Sequence, residues 1–204
     1  MMNYPNGKIY KKTAASDHEK KKTKTVQYGK RGMTLEEEIN QSNQFYLERD
    51  IAVIHKKPTP IQVVKVDYPK RSAAVIREAY YRQSSTTDFN GVYKGFYLDF
   101  EAKETKNKQS FPLKNFHEHQ IFHMDKCQKQ GGIAFVLICF SIFNRVFLLE
   151  SEYLSMFWNN QKKAGSRKSI PLSFIEENGY EIQYGFQPSL HYLGAVDQII
   201  KNKK

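Results

Sequence analysis

The sequence predicts an α/β domain of intermixed strands and helices, and three observations carry that reading. Thr34 followed three residues later by Glu37, ahead of Leu35, Ile39, Phe45 and Tyr46, is a capping box opening a helical stripe. The continuous apolar run from Ile133 to Phe140 suits a strand buried on both faces. Between them lies an aromatic-rich β region and an amphipathic segment that stops at Gly131-Gly132. A chain of 204 residues suits one such domain plus a tail. Its 14 Phe and 13 Tyr can supply much of the core, at roughly 150–250 Å² buried per ring.

In chain order, residues 1–32 read as a basic, disordered tail. They hold nine Lys or Arg against Asp17 and Glu19, seven of the eleven net positive charges. With almost no aliphatic residues, such a segment cannot offset its own ordering entropy, but it can settle along a phosphate backbone. The folded part, 33–204, starts at Met33. After the first helix, Ile51 to His55 and Ile61 to Val66 read as strands separated by Pro58 and Pro60. Pro69 precedes a stretch, Arg71 to Tyr81, expected to be a short helix. Thr86 to Lys103 is the β region, Leu113 to Lys129 the amphipathic helix, and Arg145 to Leu149 a neighbour of the buried strand. Helical pieces and turns complete the chain.

Net charge of +11 points to a polyanionic partner, nucleic acid before anionic membrane. Cys127 and Cys139 lie inside apolar stretches and read as reduced thiols rather than a disulfide framework. No apolar run opens the chain, and Ile133 to Phe143 falls short of the ~20 residues a spanning helix needs. A cytoplasmic protein is the expectation, with no membrane partner. No Walker-type motif implies nucleotide hydrolysis.

The chemistry is concentrated between Thr86 and Lys103. Folded as a hairpin about Lys94-Gly95, the stretch sets Asp88 opposite Glu101 and Thr86 opposite Lys103. Opposed side chains share a face with Cβ atoms about 4.5–5.5 Å apart. Glu101 and Lys103 share that face because strand side chains alternate. Two facing carboxylates repel unless a positive charge separates them, and a hard divalent cation with oxygen ligands meets that need. Lys103 beside a metal-bound water supplies the remaining part for phosphodiester hydrolysis. A competing register turns at Asn90-Gly91, intrinsically the better hairpin turn, and would disperse the cluster. The later turn is preferred because it leaves two strands of matched length; Asn90-Gly91 would then form a bulge. Asp99 has the parity of Glu101 and stands as a reserve ligand. His119, His123 and Cys127 fall four apart on the amphipathic helix, but a structural zinc site wants a fourth ligand. They are therefore expected to pack or to face DNA.

Asp88 with Glu101-Ala102-Lys103 resembles the PD-(D/E)xK nuclease signature. Longer strings narrow this: Asn3-Tyr4-Pro5-Asn6-Gly7, Arg31-Gly32-Met33, Ala52-Val53-Ile54-His55-Lys56-Lys57-Pro58-Thr59-Pro60, Ser85-Thr86-Thr87-Asp88 and Phe100-Glu101-Ala102-Lys103-Glu104-Thr105-Lys106 resemble the RecU family of Holliday junction resolvases. The resemblance implies a restriction-endonuclease-like mixed sheet flanked by helices, with a protruding stalk at about 56–82, assembled as a homodimer. It implies paired symmetric nicks across four-way DNA junctions in recombination and repair. It further implies metal ligation by Thr86, Asp88, Glu101 and Gln120, with Lys103 at the transition state and Mg²⁺, replaceable by Mn²⁺, as cofactor. Gln120 enters by resemblance alone, as does Glu36, placed where related nucleases carry an acidic helper. On the stalk, Lys56, Lys57, Lys65, Lys70, Arg71, Arg77 and Arg82 are the expected phosphate contacts, and Tyr68, Tyr80 and Tyr81 either pack or stack on bases.

Two rivals remain open on sequence: a non-catalytic junction-binding protein that modulates a RecA-type recombinase, and a sequence-specific restriction enzyme. Deleting residues 1–30 should flatten the salt dependence of DNA affinity, whose slope is about −0.9 per neutralised phosphate. An anisotropy titration across a salt series that returns the full-length slope would show the tail to be a bystander.

Overall fold

The computed structural model describes residues 33–68, 70, 73–82 and 86–203. The basic tail and Arg71 lie outside the described residues. Helix α1 (Leu35–Glu48) begins with both bonds of the capping box, Thr34 Oγ1 accepting from Glu37 N–H and the Glu37 carboxylate from Thr34 N–H. A central sheet then forms from β1 (Val53–Lys56), β4 (Phe89–Tyr93), β5 (Phe96–Thr105), β7 (Ile133–Phe140), β8 (Arg145–Glu150) and β10 (Tyr180–Ile182), in that spatial order. β5 and β7 run parallel, and the other neighbours are antiparallel. The sheet is thus mixed.

The β4–β5 register is the one with Phe89 opposite Phe100 and Asn90 opposite Asp99, closing at Lys94-Gly95. Both turn residues have positive φ, 50° and 81°, the requirement of the two-residue turn that matches strand twist. Asn90-Gly91 forms neither a turn nor the expected bulge; the ladder runs through it unbroken. The reason lies on the neighbouring strand. A Cβ on Gly91 would stand 2.1 Å from the Val53 carbonyl oxygen and 2.5 Å from Ile54 Cα, so glycine here admits β1 rather than bending the chain.

Helices cover both faces. α1 and α5 (Leu193–Asn202) enclose one core with Ile54, Leu98, Phe100, Phe135 and Leu137. On the other face α2 (Glu118–Lys129), α3 (Ser151–Asn160) and α4 (Leu172–Asn178) pack on Val136, Ile138, Phe147 and Leu149. Residues of β7 alternate between the two cores, which is why the strand reads as an unbroken apolar run. The expected helix from Leu113 is shorter than its amphipathic pattern. Leu113–Asn115 forms only a 3-10 turn, and α2 starts after His117, stopping at Gly131 with φ 83°. Two short strands, β6 (Ser110–Pro112) and β9 (Ser169–Pro171), pair antiparallel apart from the main sheet. Cys127 and Cys139 are free thiols, and burial raises the Cys139 pKa to about 12.

The segment expected as a helix from Arg71 to Tyr81 is instead a strand, β3 (Val75–Tyr81), paired antiparallel with β2 (Ile61–Asp67) in an exposed two-stranded ribbon. Its β-branched and aromatic residues favour pleated pairing. A single short helix with no core to lie on would have lacked stabilisation. Arg82 N–H donates to Pro60 carbonyl oxygen at 2.9 Å and closes the ribbon's base. Replacing Gly91 by Ala should cost about 1–3 kcal/mol or more, since backbone rather than a flexible side chain meets the new methyl. Thermal denaturation should register this as a lowered midpoint; an unchanged midpoint would mean that β1 yields freely.

Candidate active site

β5 presents Asp99, Glu101 and Lys103 to the face covered by α2, because their β7 partners Ala134, Val136 and Ile138 belong to the core on that side. Asp88 stands immediately before β4, across from Glu101, and its backbone N–H donates to Glu101 Oε2 at 3.1 Å. The Asp88 carboxyl is close enough to act on the charge of Glu101. Lys103 Nζ sits 2.6 Å from Glu101 Oε1. Among the described residues, that ammonium is the one group set against the buried Oε1. Glu101 is fully buried. Burial and the neighbouring Asp88 carboxyl push its pKa up to about 8, against the opposing pull of Lys103.

A carboxyl so placed must either hold a proton or meet a cation. The buried oxygen held only by Lys103, the second carboxylate and the all-oxygen donor set fit a hard divalent ion such as Mg²⁺. The half-buried Thr86 stands two residues before Asp88, and its hydroxyl donates to Thr87 carbonyl oxygen at 3.3 Å. Gln120 lies on the first turn of α2, buried, its carboxamide oxygen accepting from His117 N–H at 3.0 Å. It falls between His119, whose pKa is lowered by burial and then by the charges of His117 and Lys103, and His123, which reaches Asp99.

Asp99 differs from its neighbour. Its carboxylate accepts from Lys57 Nζ at 2.8 Å and Tyr97 hydroxyl at 2.9 Å, takes a bond from Thr87 Oγ1, and lies 3.1 Å from His123 Nε2. Both its oxygens are engaged, so Asp99 acts as a hub that ties β5 and α2 to Lys57, after β1, and Thr87, before β4. His123, Cys127 and Asp99 bring their donor atoms within 4.8 Å of one another. With the Lys57 ammonium already seated on Asp99, the group is a hydrogen-bonded network rather than a cation site. The His119 ring stacks on His117 instead of joining it, at 5.4 Å between centroids.

Several expected DNA contacts are otherwise engaged. Lys57 points into the Asp99 network rather than outward along the stalk. Lys56 pairs with Glu36, so the proposed acidic helper has a basic partner of its own, on a helix packed against the opposite face. Arg77 pairs with Asp67 at 2.6 Å. Lys65, Lys70 and Arg82 stay exposed, Arg82 with a bond to Gln62. Sequence reasoning missed Thr87, which carries no periodic signal, and assigned Lys57 to phosphate rather than to Asp99. Asp99, by parity, and His123, by helical spacing, were flagged for other roles.

A mixed sheet whose hairpin brings one carboxylate against a buried second, with lysine two residues beyond, defines an α/β nuclease-type domain of the PD-(D/E)xK pattern. The chain belongs to the RecU family: the family model, Recombination protein U, matches residues 30–198. It is 60% identical over 97% of its length to a protein of Lactiplantibacillus plantarum named Holliday junction resolvase RecU, covering 95% of that protein. Similarly named proteins of Lactobacillus delbrueckii subsp. bulgaricus and a Geobacillus species are 58% and 55% identical, over 100% and 96% of this chain and 97% and 96% of theirs. The solved Archaeoglobus fulgidus Hjc, a Holliday junction resolvase, aligns with TM-score 0.37 at 10% identity, covering 70% of this chain and 94% of its own. That likeness is too loose to build on.

The raised Glu101 pKa sets a pH dependence. Held protonated, Glu101 contributes stability to the metal-free protein that is fully present below its ordinary value of 4.5 and is lost as pH rises through about 8. Metal uptake near neutrality should release about one proton, measurable by calorimetry in buffers of different ionisation enthalpy. Glu101→Gln should remove metal binding and flatten the metal-free melting profile between pH 4.5 and about pH 8. A wild-type profile already as flat would mean that Glu101 is ionised throughout.

Proposed function

We propose that this chain is a Mg²⁺-dependent, structure-selective endonuclease that resolves four-way DNA junctions by paired symmetric nicks, working as a homodimer on DNA in the cytoplasm. The observation that carries the reading is the buried Glu101, pressed against Asp88 with Lys103 at 2.6 Å, in a chain of the RecU family. Thr86, Asp88, Glu101 and Gln120 would hold the ion, and Mn²⁺ would substitute. When bound, the metal supplies Lewis acidity toward a phosphoryl oxygen and an acidified water at neutral pH.

The protein's own residues do the rest. Glu101, ionised on metal uptake, orients the site from a floor that excludes water, where each charge acts at low dielectric strength. The Lys103 ammonium, roughly three-quarters shielded from solvent, faces the same side and offsets negative charge developing on the phosphate. Asp99 and Lys57 position the segment before β4: Lys57 N–H donates to Asp88 carbonyl oxygen at 2.7 Å while its ammonium is fixed on Asp99. The ribbon, with Lys65, Lys70 and Arg82 exposed and Tyr68, Tyr80 and Tyr81 open to solvent, suits the open centre of a junction, read by shape rather than sequence. A RecA-type recombinase as a further partner is the family's association, and binding and cutting can coexist. No helix among the described residues is long and apolar enough to cross a membrane.

Asp88→Ala should lower the nicking rate by at least about 10²-fold while junction affinity stays near wild type, as measured on a labelled four-way junction with Mg²⁺ or Mn²⁺. Retarded but uncut DNA from folded wild-type protein would favour the non-catalytic rival. Equal cutting of linear duplex at a short motif would favour a restriction enzyme.

A further inference from the structure

A second surface has the charge to hold DNA, on a strand pair separate from the ribbon. Lys106 and Lys108 follow the end of β5, and Lys114 follows β6. Lys162, Lys163, Arg167 and Lys168 fill the loop between α3 and β9. The antiparallel pairing of β6 with β9, Ser110 opposite Pro171 and Pro112 opposite Ser169, sets Lys114 beside the 162–168 loop and leaves Lys106 and Lys108 at the other end of the short pair. Leu113 N–H donates to Lys168 carbonyl oxygen at 3.0 Å and Leu172 N–H to Gln109 carbonyl oxygen at 2.8 Å, locking the pair at both ends.

All seven basic side chains are exposed. No Asp or Glu occurs in 106–117 or in 153–175. Among the described residues none of the seven is in a salt bridge, whereas Lys56, Lys57 and Arg77 near or on the ribbon all are. The next acidic residue, Glu176, is already bound to Arg145. Seven like charges with no internal counter-charge repel one another, and a fold that gathers them leaves a polyanion to relieve the cost.

We propose that the β6–β9 edge is a phosphate-contacting surface for a duplex arm of the junction. The inference rests on the nuclease reading for its placement, since the band continues the strand that carries Lys103. Lys106 stands three residues beyond Lys103, about 10 Å at strand rise. That distance corresponds to roughly three base pairs along a duplex at 3.4 Å each. An arm entering the site therefore reaches the lysine band as it leaves, and the band sets which side of the scissile phosphate the duplex occupies. The contacts are to backbone, so the surface adds affinity and register without sequence preference.

The test uses the full-length protein in chelator, with fluorescent linear duplex and four-way junction, and reads log affinity against log salt. K162Q/K163Q/R167Q/K168Q should flatten the slope by about two or more on both DNAs, at about 0.9 per lost phosphate contact. K106Q/K108Q, on the opposite segment, should act in the same direction. Melting temperatures should stay at wild type, because the seven side chains are unpaired and exposed. A smaller change of slope in the fourfold variant, with the fold intact, overturns the proposal. If the fourfold variant instead unfolds, K106Q/K108Q decides the matter, and an unchanged slope there would equally overturn it. Wild-type protein that binds duplex yet neither prefers nor cuts the junction would defeat the resolvase reading and leave this surface standing.

Discussion

The arrangement turns on one electrostatic constraint: two carboxyl groups are forced together at the mouth of a hairpin, one of them shut away from water. Glu101 cannot be ionised there without a positive neighbour, and among the described residues Lys103 reaches it at one oxygen while the Asp88 carboxyl opposes its charge. Desolvation of a lone carboxylate is far costlier than any gain from packing around it. A fold that retains such a group must hold it as a neutral acid or hand it to a cation. The rest of the sheet exists, in this sense, to keep Glu101 where it is uncomfortable.

Asp99, two residues earlier on the same strand and face, shows what full satisfaction looks like. Its oxygens receive an ammonium, two hydroxyls and an imidazole from four separate parts of the chain. Such a buried network specifies geometry because each member is paired. The two acids are equally buried, so burial does not distinguish the structural one from the chemical one. Completeness of the hydrogen bonding does.

Much of this was legible from residue order. The capping box, the two-residue turn and the continuous apolar strand are local signals, and each appears where its local chemistry puts it. The opposition of Asp88 and Glu101 followed from equal strand lengths about Lys94-Gly95. What misled was always non-local. Asn90-Gly91 has the composition of a turn, but its glycine answers to the backbone of β1. The segment after Pro69 has no core to face, so periodicity could not discriminate, and pairing with β2 decided it. Lys57 looked like any surface lysine next to a proline; only the fold brings Asp99 to it. Gln120 carries no spacing signal toward the hairpin and entered through family resemblance alone.

The parallel pairing of β5 with β7 has a consequence for what the chain can tolerate. Parallel neighbours need a crossover, so α2 is obliged to lie over the acidic face and form the second wall of the site. Inserting or deleting one residue within that helix would rotate everything downstream by about 100°, carrying His123 away from Asp99 while leaving the apolar count unchanged. A change of length is therefore least tolerable within the crossover helix, where the angular phase between its two ends has to be kept.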